Sequence, residues 1–243
     1  MNTLNEQNTL PAIDISGLRF SWRDGHDPVL SIDGLQIERG ERVFIEGPSG
    51  SGKSTLLSLI AGVVTPQQGT IYVNGVHLNA LSGADRDRFR ADHIGFIYQM
   101  FNLIPYLSVI ENVTLPCRFS LHRRKRAGGN GRLFEEQALL LLRKLGMDGA
   151  DVLDKPATEL SVGQQQRVAA ARALIGSPEL LIADEPTSSL DADRRGSFMQ
   201  LLFNECERQE TTLVLVSHDT TLENLFDRTI RLSDINAVQC LRH

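Results

Sequence analysis

The chain alternates short apolar runs with longer amphipathic stretches. Leu180 to Ala183 (LLIA) is too apolar for a strand with one wet face and reads as a buried central strand of a parallel sheet. Arg42 to Glu46 (RVFIE), Ile94 to Tyr98 (IGFIY) and Thr212 to Ser217 (TLVLVS) read as further strands. The first part of the chain is β-rich from about Ile13 to Val76, with strands over Ile13 to Phe20 and Val29 to Ile37. Asn74–Gly75, set between Ile71 to Val73 and Val76 to Leu78, signals a hairpin turn. Ser54 to Ala61 (STLLSLIA) reads as a helix. So does most of Ser108 to Lys155, where RLFEEQALLLLRKLG repeats apolar residues at helical spacing. Two more helices are expected, one capped by Ser161 and running through Gln165 to about Ile175, and one that Asp191 precedes and that runs to about Arg208.

A length of 243 residues suits one α/β domain with room for an inserted subdomain. The net charge of −5 argues against a nucleic-acid coat. The three cysteines, Cys117, Cys206 and Cys240, are far apart, show no metal spacing and fit a reducing cytosol. The start MNTLNEQNTL has neither the basic residues nor the apolar core of a signal peptide. The best apolar run, Thr55 to Val64, is far too short for a membrane span.

Chemistry enters between the strand Arg42 to Glu46 and the helix that follows it. Gly47, Pro48, Ser49, Gly50, Ser51, Gly52, Lys53, Ser54 and Thr55 (GPSGSGKST) satisfy G-x-x-x-x-G-K-[ST] in the strand–loop–helix setting of a phosphate loop. Glycines let backbone N–H groups converge on an anion, and the helix start adds its positive dipole end. Lys53 supplies charge for the β- and γ-phosphates, and the Ser54 hydroxyl suits Mg²⁺. Asp184 and Glu185 follow LLIA at the carboxyl end of its strand, where ligands of open α/β sheets gather. There Asp184 is suited to hold Mg²⁺ and Glu185 to polarise the attacking water. Pro186 disfavours the α region for Glu185 and is expected to keep it extended. Gln99 follows the strand Ile94 to Tyr98, and its amide oxygen can coordinate Mg²⁺, with a flexible segment after it sensing the metal and γ-phosphate.

Ser161 and Gln164 in LSVGQQQR form a capping box. That explains both residues without any ligand, but not Gly163, a poor choice in a first helical turn. Trp22 is the only tryptophan, and its polar neighbours Ser21, Arg23 and Asp24 mark it as partly exposed. Phe101, Leu103, Pro105 and Tyr106 form either an apolar docking face or a local core. The run Arg118 to Arg132 holds His122, Arg123, Arg124, Lys125 and Arg126 and then Ala-Gly-Gly-Asn-Gly. It reads as a solvated loop, with contact to anionic inner-leaflet lipid as the alternative.

GPSGSGKST, LSVGQQQR and LLIADEPTSSLD together resemble the nucleotide-binding subunits of ABC transporters, and the resemblance runs from about Ile13 to Leu232. It implies a P-loop NTPase (RecA-like) core with an N-terminal antiparallel β subdomain and an inserted helical subdomain. Residues 1–12 would be a flexible N-terminus and 13–243 one ABC ATPase domain. Within it, 13–98 and 156–243 form the β subdomain and core, and 99–155 the Q-loop and helical subdomain. The resemblance further implies an ATP hydrolase in which His218 contacts the γ-phosphate, Trp22 stacks on adenine and Lys53 and Glu185 act in catalysis. Ser161, Val162, Gly163, Gln164 and Asp191 would meet ATP bound by a second copy in a head-to-tail homodimer. Ser189, Leu190 and Asp191 are similar to the family's D-loop, and Asp191 also suits a helix cap. Valine at 162 departs from the usual LSGGQ. YQMFNLIPYLSVIENV most resembles the lipoprotein-release, macrolide-efflux and cell-division group. Those subunits sit on the cytoplasmic face of the bacterial inner membrane, held by permeases with large periplasmic domains. A non-transport ATPase regulating a cell-envelope or cell-division complex is the alternative. DNA-repair and chromosome ATPases need a long coiled-coil insertion, for which the hundred or so residues between the motifs leave no room.

Overall fold

The computed structural model describes residues 10–23, 25–129, 132–147, 153–188 and 190–238. The chain divides into two compact units, Met1–Arg90 with Thr212–His243, and Ala91–Thr211.

In the first unit, β1 (Ile13–Phe20), β2 (Leu30–Ile37), β4 (Gln68–Val73) and β5 (Val76–His77) form an antiparallel sheet in the order β2-β1-β4-β5. Ile13 faces Ile37 on one side and Val73 on the other. The β4–β5 turn is Asn74–Gly75 with φ of 52° and 80°, the left-handed pair that a tight hairpin of matching twist demands. Ala12 is fully buried and its carbonyl accepts the Asn74 N–H at 2.8 Å, so the residue ahead of β1 is already packed.

The same unit holds a parallel group in which β3 (Arg42–Glu46) lies between β8 (Thr212–Ser217) and β9 (Arg228–Arg231). Every residue of β8 is buried, as its unbroken apolar run requires of a parallel strand covered on both faces. α1 (Lys53–Ile60) follows β3.

The second unit opens with the end of α2 (Gly83–His93) and with β6 (Ile94–Ile97), which pairs in parallel with β7 (Leu180–Asp184), Ile94 opposite Leu180. Between these strands come α3 (Val109–Thr114), α4 (Pro116–Phe119), α5 (Leu121–Arg126), α6 (Arg132–Lys144) and α7 (Val162–Leu174). α8 (Ala192–Gln209) follows β7. α7 lies directly on β6: a Cβ placed on Gly95 would stand 2.3 Å from the Ala173 carbonyl oxygen, so only glycine permits the approach.

One expectation fails here. The basic stretch after Arg118 is not a solvated loop, because α5 occupies its centre and Arg123 is 3% exposed. The Arg123 guanidinium donates to the carbonyls of Ile175 (2.8 Å), Ile94 (3.5 Å) and Ala173, closing the C-terminal end of α7. Burial draws its pKa down to about 10, and it stays charged. Four neighbouring cations suggest a wet surface, whereas a guanidinium buries well when backbone carbonyls take its donors.

Candidate nucleotide site

The phosphate loop belongs to the first unit. Gly47 leaves β3, and a Cβ there would stand 2.7 Å from Ser51 Oγ. Gly50 and Gly52 have φ of 79° and 102°. Gly52 is the N-cap of α1, and no side chain accepts from the helix's first turn. Lys53 is 6% exposed, and its ammonium folds back onto the carbonyl oxygens of Gly47 (2.5 Å) and Pro48 (3.0 Å). The Ser51 hydroxyl is buried without a hydrogen-bond partner. An uncapped helix start, an orphan hydroxyl and a buried ammonium together fit a polyphosphate anion. Pro48, Ser49, Gly50 and Ser54 are exposed to receive it, and Thr55 is buried beneath.

His218 follows β8. Because Glu46 lies opposite Ser217 in the parallel register, His218 and Gly47 leave neighbouring strands at the same end. Trp22 is 60% exposed, and its ring meets Phe20 edge to face at 5.1 Å. The turn before it is stapled by Gln67, which accepts the Ser21 N–H (2.9 Å) and donates to the Ser21 carbonyl (2.8 Å). Nothing local in the sequence signals that staple, since the partners are 46 positions apart.

The second unit carries the other half of the expected site. Ile97 lies opposite Ala183, so Gln99 and Glu185 emerge side by side, and the Gln99 amide donates to Glu185 Oε2 at 3.4 Å. Asp184 closes β7 one residue earlier. Glu185 departs from expectation: its φ is +45°, left-handed rather than extended. Pro186 removes only the right-handed helical region, and the sharp turn after the strand selects the left-handed one instead. Such a conformation costs on the order of 1 kcal/mol in a non-glycine residue and concentrates at functional positions.

The segment after Gln99 is tied down through its backbone. Arg172 of α7 donates to the carbonyls of Phe101 (2.5 Å) and Asn102 (2.6 Å), both residues with positive φ. Asn112, fully buried in α3, bonds the N–H and carbonyl of Ile104 and the carbonyls of Leu107 and Ser108. Neither anchor is legible from the sequence, because each works on carbonyls and not on a side-chain pattern. Burial draws the Arg172 pKa down. Phe101 is buried in the core while Tyr106 is 81% exposed, so that apolar group is not one local core.

The capping box at α7 is present: Ser161 N–H donates to Gln164 Oε1 (2.9 Å), and Gln164 N–H to Ser161 Oγ (3.3 Å). A Cβ on Gly163 would meet nothing within 4 Å. Val162 is 49% exposed. Gln166, buried, donates to the Pro186 carbonyl at 2.7 Å and joins α7 to the turn that carries Glu185. Asp191 caps α8 by accepting from the Arg194 N–H (2.9 Å) and pairs with the Arg194 guanidinium at 3.3 Å. Ser189 lies outside the described residues. Of the residues expected to hold Mg²⁺, Ser54 is in the first unit and Gln99 and Asp184 in the second.

The family model described as ABC transporter matches residues 30–188. The chain belongs to the ABC transporter family. The cassette is 41% identical over 224 residues to the uncharacterized ABC transporter ATP-binding protein MJ0796 of Methanocaldococcus jannaschii, covering 91% of this chain and 93% of that protein. It is 40% identical over 205 residues to the lipoprotein-releasing system ATP-binding protein LolD of Xanthomonas oryzae, covering 84% of this chain and 80% of LolD. To the macrolide export ATP-binding/permease protein MacB of Rhodopirellula baltica it is 39% identical over 224 residues, covering 91% of this chain but 32% of MacB. The solved dimer of MJ0796 in a post-hydrolysis state with ADP and Pi superposes with a TM-score of 0.81 at 35% identity, covering 95% of this chain and 99% of that one. The cassette is thus an α/β P-loop ATPase.

Proposed function

We propose that two copies of this cassette bind two molecules of ATP head to tail and drive a separate membrane permease for efflux, lipoprotein release or mechanical signalling across the membrane. The observation that carries the reading is Gly163. Its own chain gives no steric reason for glycine at the second position of α7, since a Cβ there would occupy open space. A glycine in a capped, exposed helix start suits an anion brought close from outside, here the γ-phosphate held by the other copy.

In this reading the Gly47–Thr55 loop and Lys53 hold the phosphates, Trp22 stacks on the base, and Ser161, Val162, Gly163, Gln164 and Asp191 of the second copy close the site. Glu185 orients the attacking water, while His218 and Lys53 steady charge developing on the transferred phosphoryl group. Ser54, Gln99 and Asp184 offer the hard oxygen donors that Mg²⁺ prefers, and the ion when bound would neutralise phosphate charge. The permease would dock on the second unit, where Met100, Tyr106, Phe119 and Leu121 are each at least 70% exposed. The names of LolD and MacB support the pairing with a permease and hence a peripheral location at the cytoplasmic face of the inner membrane. Among the described residues no helix is long and apolar enough to cross a membrane.

Light scattering on Glu185→Gln with Mg-ATP tests this. The variant is expected to lose turnover and accumulate as a nucleotide-bound dimer. A variant that remains monomeric at saturating Mg-ATP, even beside its permease, overturns the reading.

A further inference from the structure

The end of the β6–β7 pair remote from Gln99 and Glu185 carries a second cluster of chemistry-bearing side chains. His93 precedes β6 and Glu179 precedes β7, and the register Ile94 opposite Leu180 sets them side by side. His93 Nδ1 lies 3.0 Å from Glu179 Oε2. His122 reaches the same carboxylate from α5, its Nε2 at 3.7 Å from Oε1 and its ring 5.1 Å from that of His93. One nitrogen from each histidine and one Glu179 oxygen all lie within 4.8 Å of one another.

We propose that His93, His122 and Glu179 form a binding site for one divalent transition metal of the zinc class. Two imidazole nitrogens and one carboxylate oxygen are a borderline-soft donor set that favours zinc, cobalt or nickel over magnesium or calcium. Three protein ligands leave a fourth position for water.

The scaffold is firm where a metal site needs it. His93 ends α2 and Glu179 comes directly before β7, each one residue from the paired strands β6 and β7. His122 is fixed through its neighbour Arg123, whose guanidinium is locked on the carbonyls of Ile175, Ala173 and Ile94. The helix it rides begins at Ser120, whose hydroxyl accepts the Arg123 N–H at 2.9 Å. Tetrahedral zinc at about 2.0–2.2 Å from each ligand needs those ligands roughly 3.4 Å apart. His93 Nδ1 and Glu179 Oε2, at 3.0 Å, would part slightly to reach that, and His122, 41% exposed at its side chain, would move inward.

The polar contacts suit a metal. The Glu179 carboxylate accepts the Nδ1–H of His93 at 3.0 Å. A metal would take that proton's place, the proton leaving to solvent or to Nε2. Arg126 donates to Glu179 Oε1, and its Nη1 approaches His122 Nε2 at 3.4 Å. In the metal-free chain Arg126 is the cation that balances Glu179. A metal competes with it, and Arg126 therefore weakens the site.

Titration of the full nucleotide-free chain with cobalt(II) and zinc(II) tests the proposal, read by the visible bands of tetrahedral cobalt and by competition with a chromophoric chelator. One equivalent is expected to bind. His93→Ala and His122→Ala are each expected to weaken binding by at least the roughly 10–100-fold typical of losing an outer-shell partner. Arg126→Gln is expected to tighten it severalfold, a gain that no misfolded chain would show. Basal ATPase of His122→Ala stays at the wild-type level. Absence of uptake by the wild-type chain overturns the proposal, as does uptake that survives both histidine replacements. An Arg126→Gln chain that binds no tighter also overturns it.

Discussion

Gly52 caps α1 and Gly163 is the second residue of α7, and the two glycines are there for opposite reasons. In the first unit, Gly52 sits at φ +102°, and a Cβ on it would stand 2.9 Å from Leu30 Cδ2. The chain's own geometry demands it. In the second unit, Gly163 has open space around the missing Cβ and a complete capping box on either side. Nothing in the chain demands it. The first glycine is needed for the fold, while the second, on the proposed head-to-tail reading, serves a phosphate held by another copy.

Replacing Gly163 with glutamate breaks that contrast most sharply. A carboxylate in the first helical turn complements the helix dipole, so thermal stability is expected to hold or rise slightly. On the proposed head-to-tail reading the same carboxylate would fill the place of the partner's phosphate, and ATPase activity is expected to fall about 100-fold or more, the scale of losing a transition-state donor. A melting curve beside a steady-state assay reads both. A destabilised Gly163→Glu chain, or an active one, would merge the two glycines into one class.

Gly52→Ala moves in the other direction. Strain at its φ and the Leu30 contact are expected to cost about 2 kcal/mol, or roughly 4–8 °C in Tm, in the absence of any nucleotide. Nucleotide-free calorimetry isolates this from lost binding. A smaller effect is expected for Ser161→Ala, which removes a cap and costs about 1 kcal/mol in denaturant unfolding. The smallest is Val162→Gly. Because Val162 is half exposed, stability is expected to change by about 0.5 kcal/mol at most, while ATPase activity stays level or rises modestly. A large loss of turnover there would give valine a specific role at the second helix start.

The parts of the structure that were legible beforehand are those in which neighbours in sequence decide the outcome. Arg42–Glu46 and Thr212–Ser217 are strands over the expected residues because an unbroken apolar run has nowhere to go but a covered sheet. The Asn74–Gly75 hairpin and the Ser161–Gln164 box are local as well, and both appear. What stayed hidden depends on groups far apart in the chain. Arg123 looks like one more surface cation until the carbonyls of Ala173 and Ile175, some 50 residues away, become its partners. Arg172 and Asn112 hold the segment after Gln99 through backbone oxygens, which leave no mark in a sequence pattern. The left-handed Glu185 shows the limit of a rule about proline: excluding one conformation does not choose between the others. His93, His122 and Glu179 come from three segments with no shared spacing; the strand register sets His93 beside Glu179, and α5 brings His122 to them.

The absence of a side chain at Gly95 has a mechanical consequence. With the Ala173 carbonyl pressed against the β6 backbone, and Arg172 gripping the residues just past that strand, α7 has no slack relative to the end that carries Gln99. A tug on the chain beyond Gln99 would be passed on as a tilt of the whole helix, and its far tip at Ser161 would swing like the long arm of a lever.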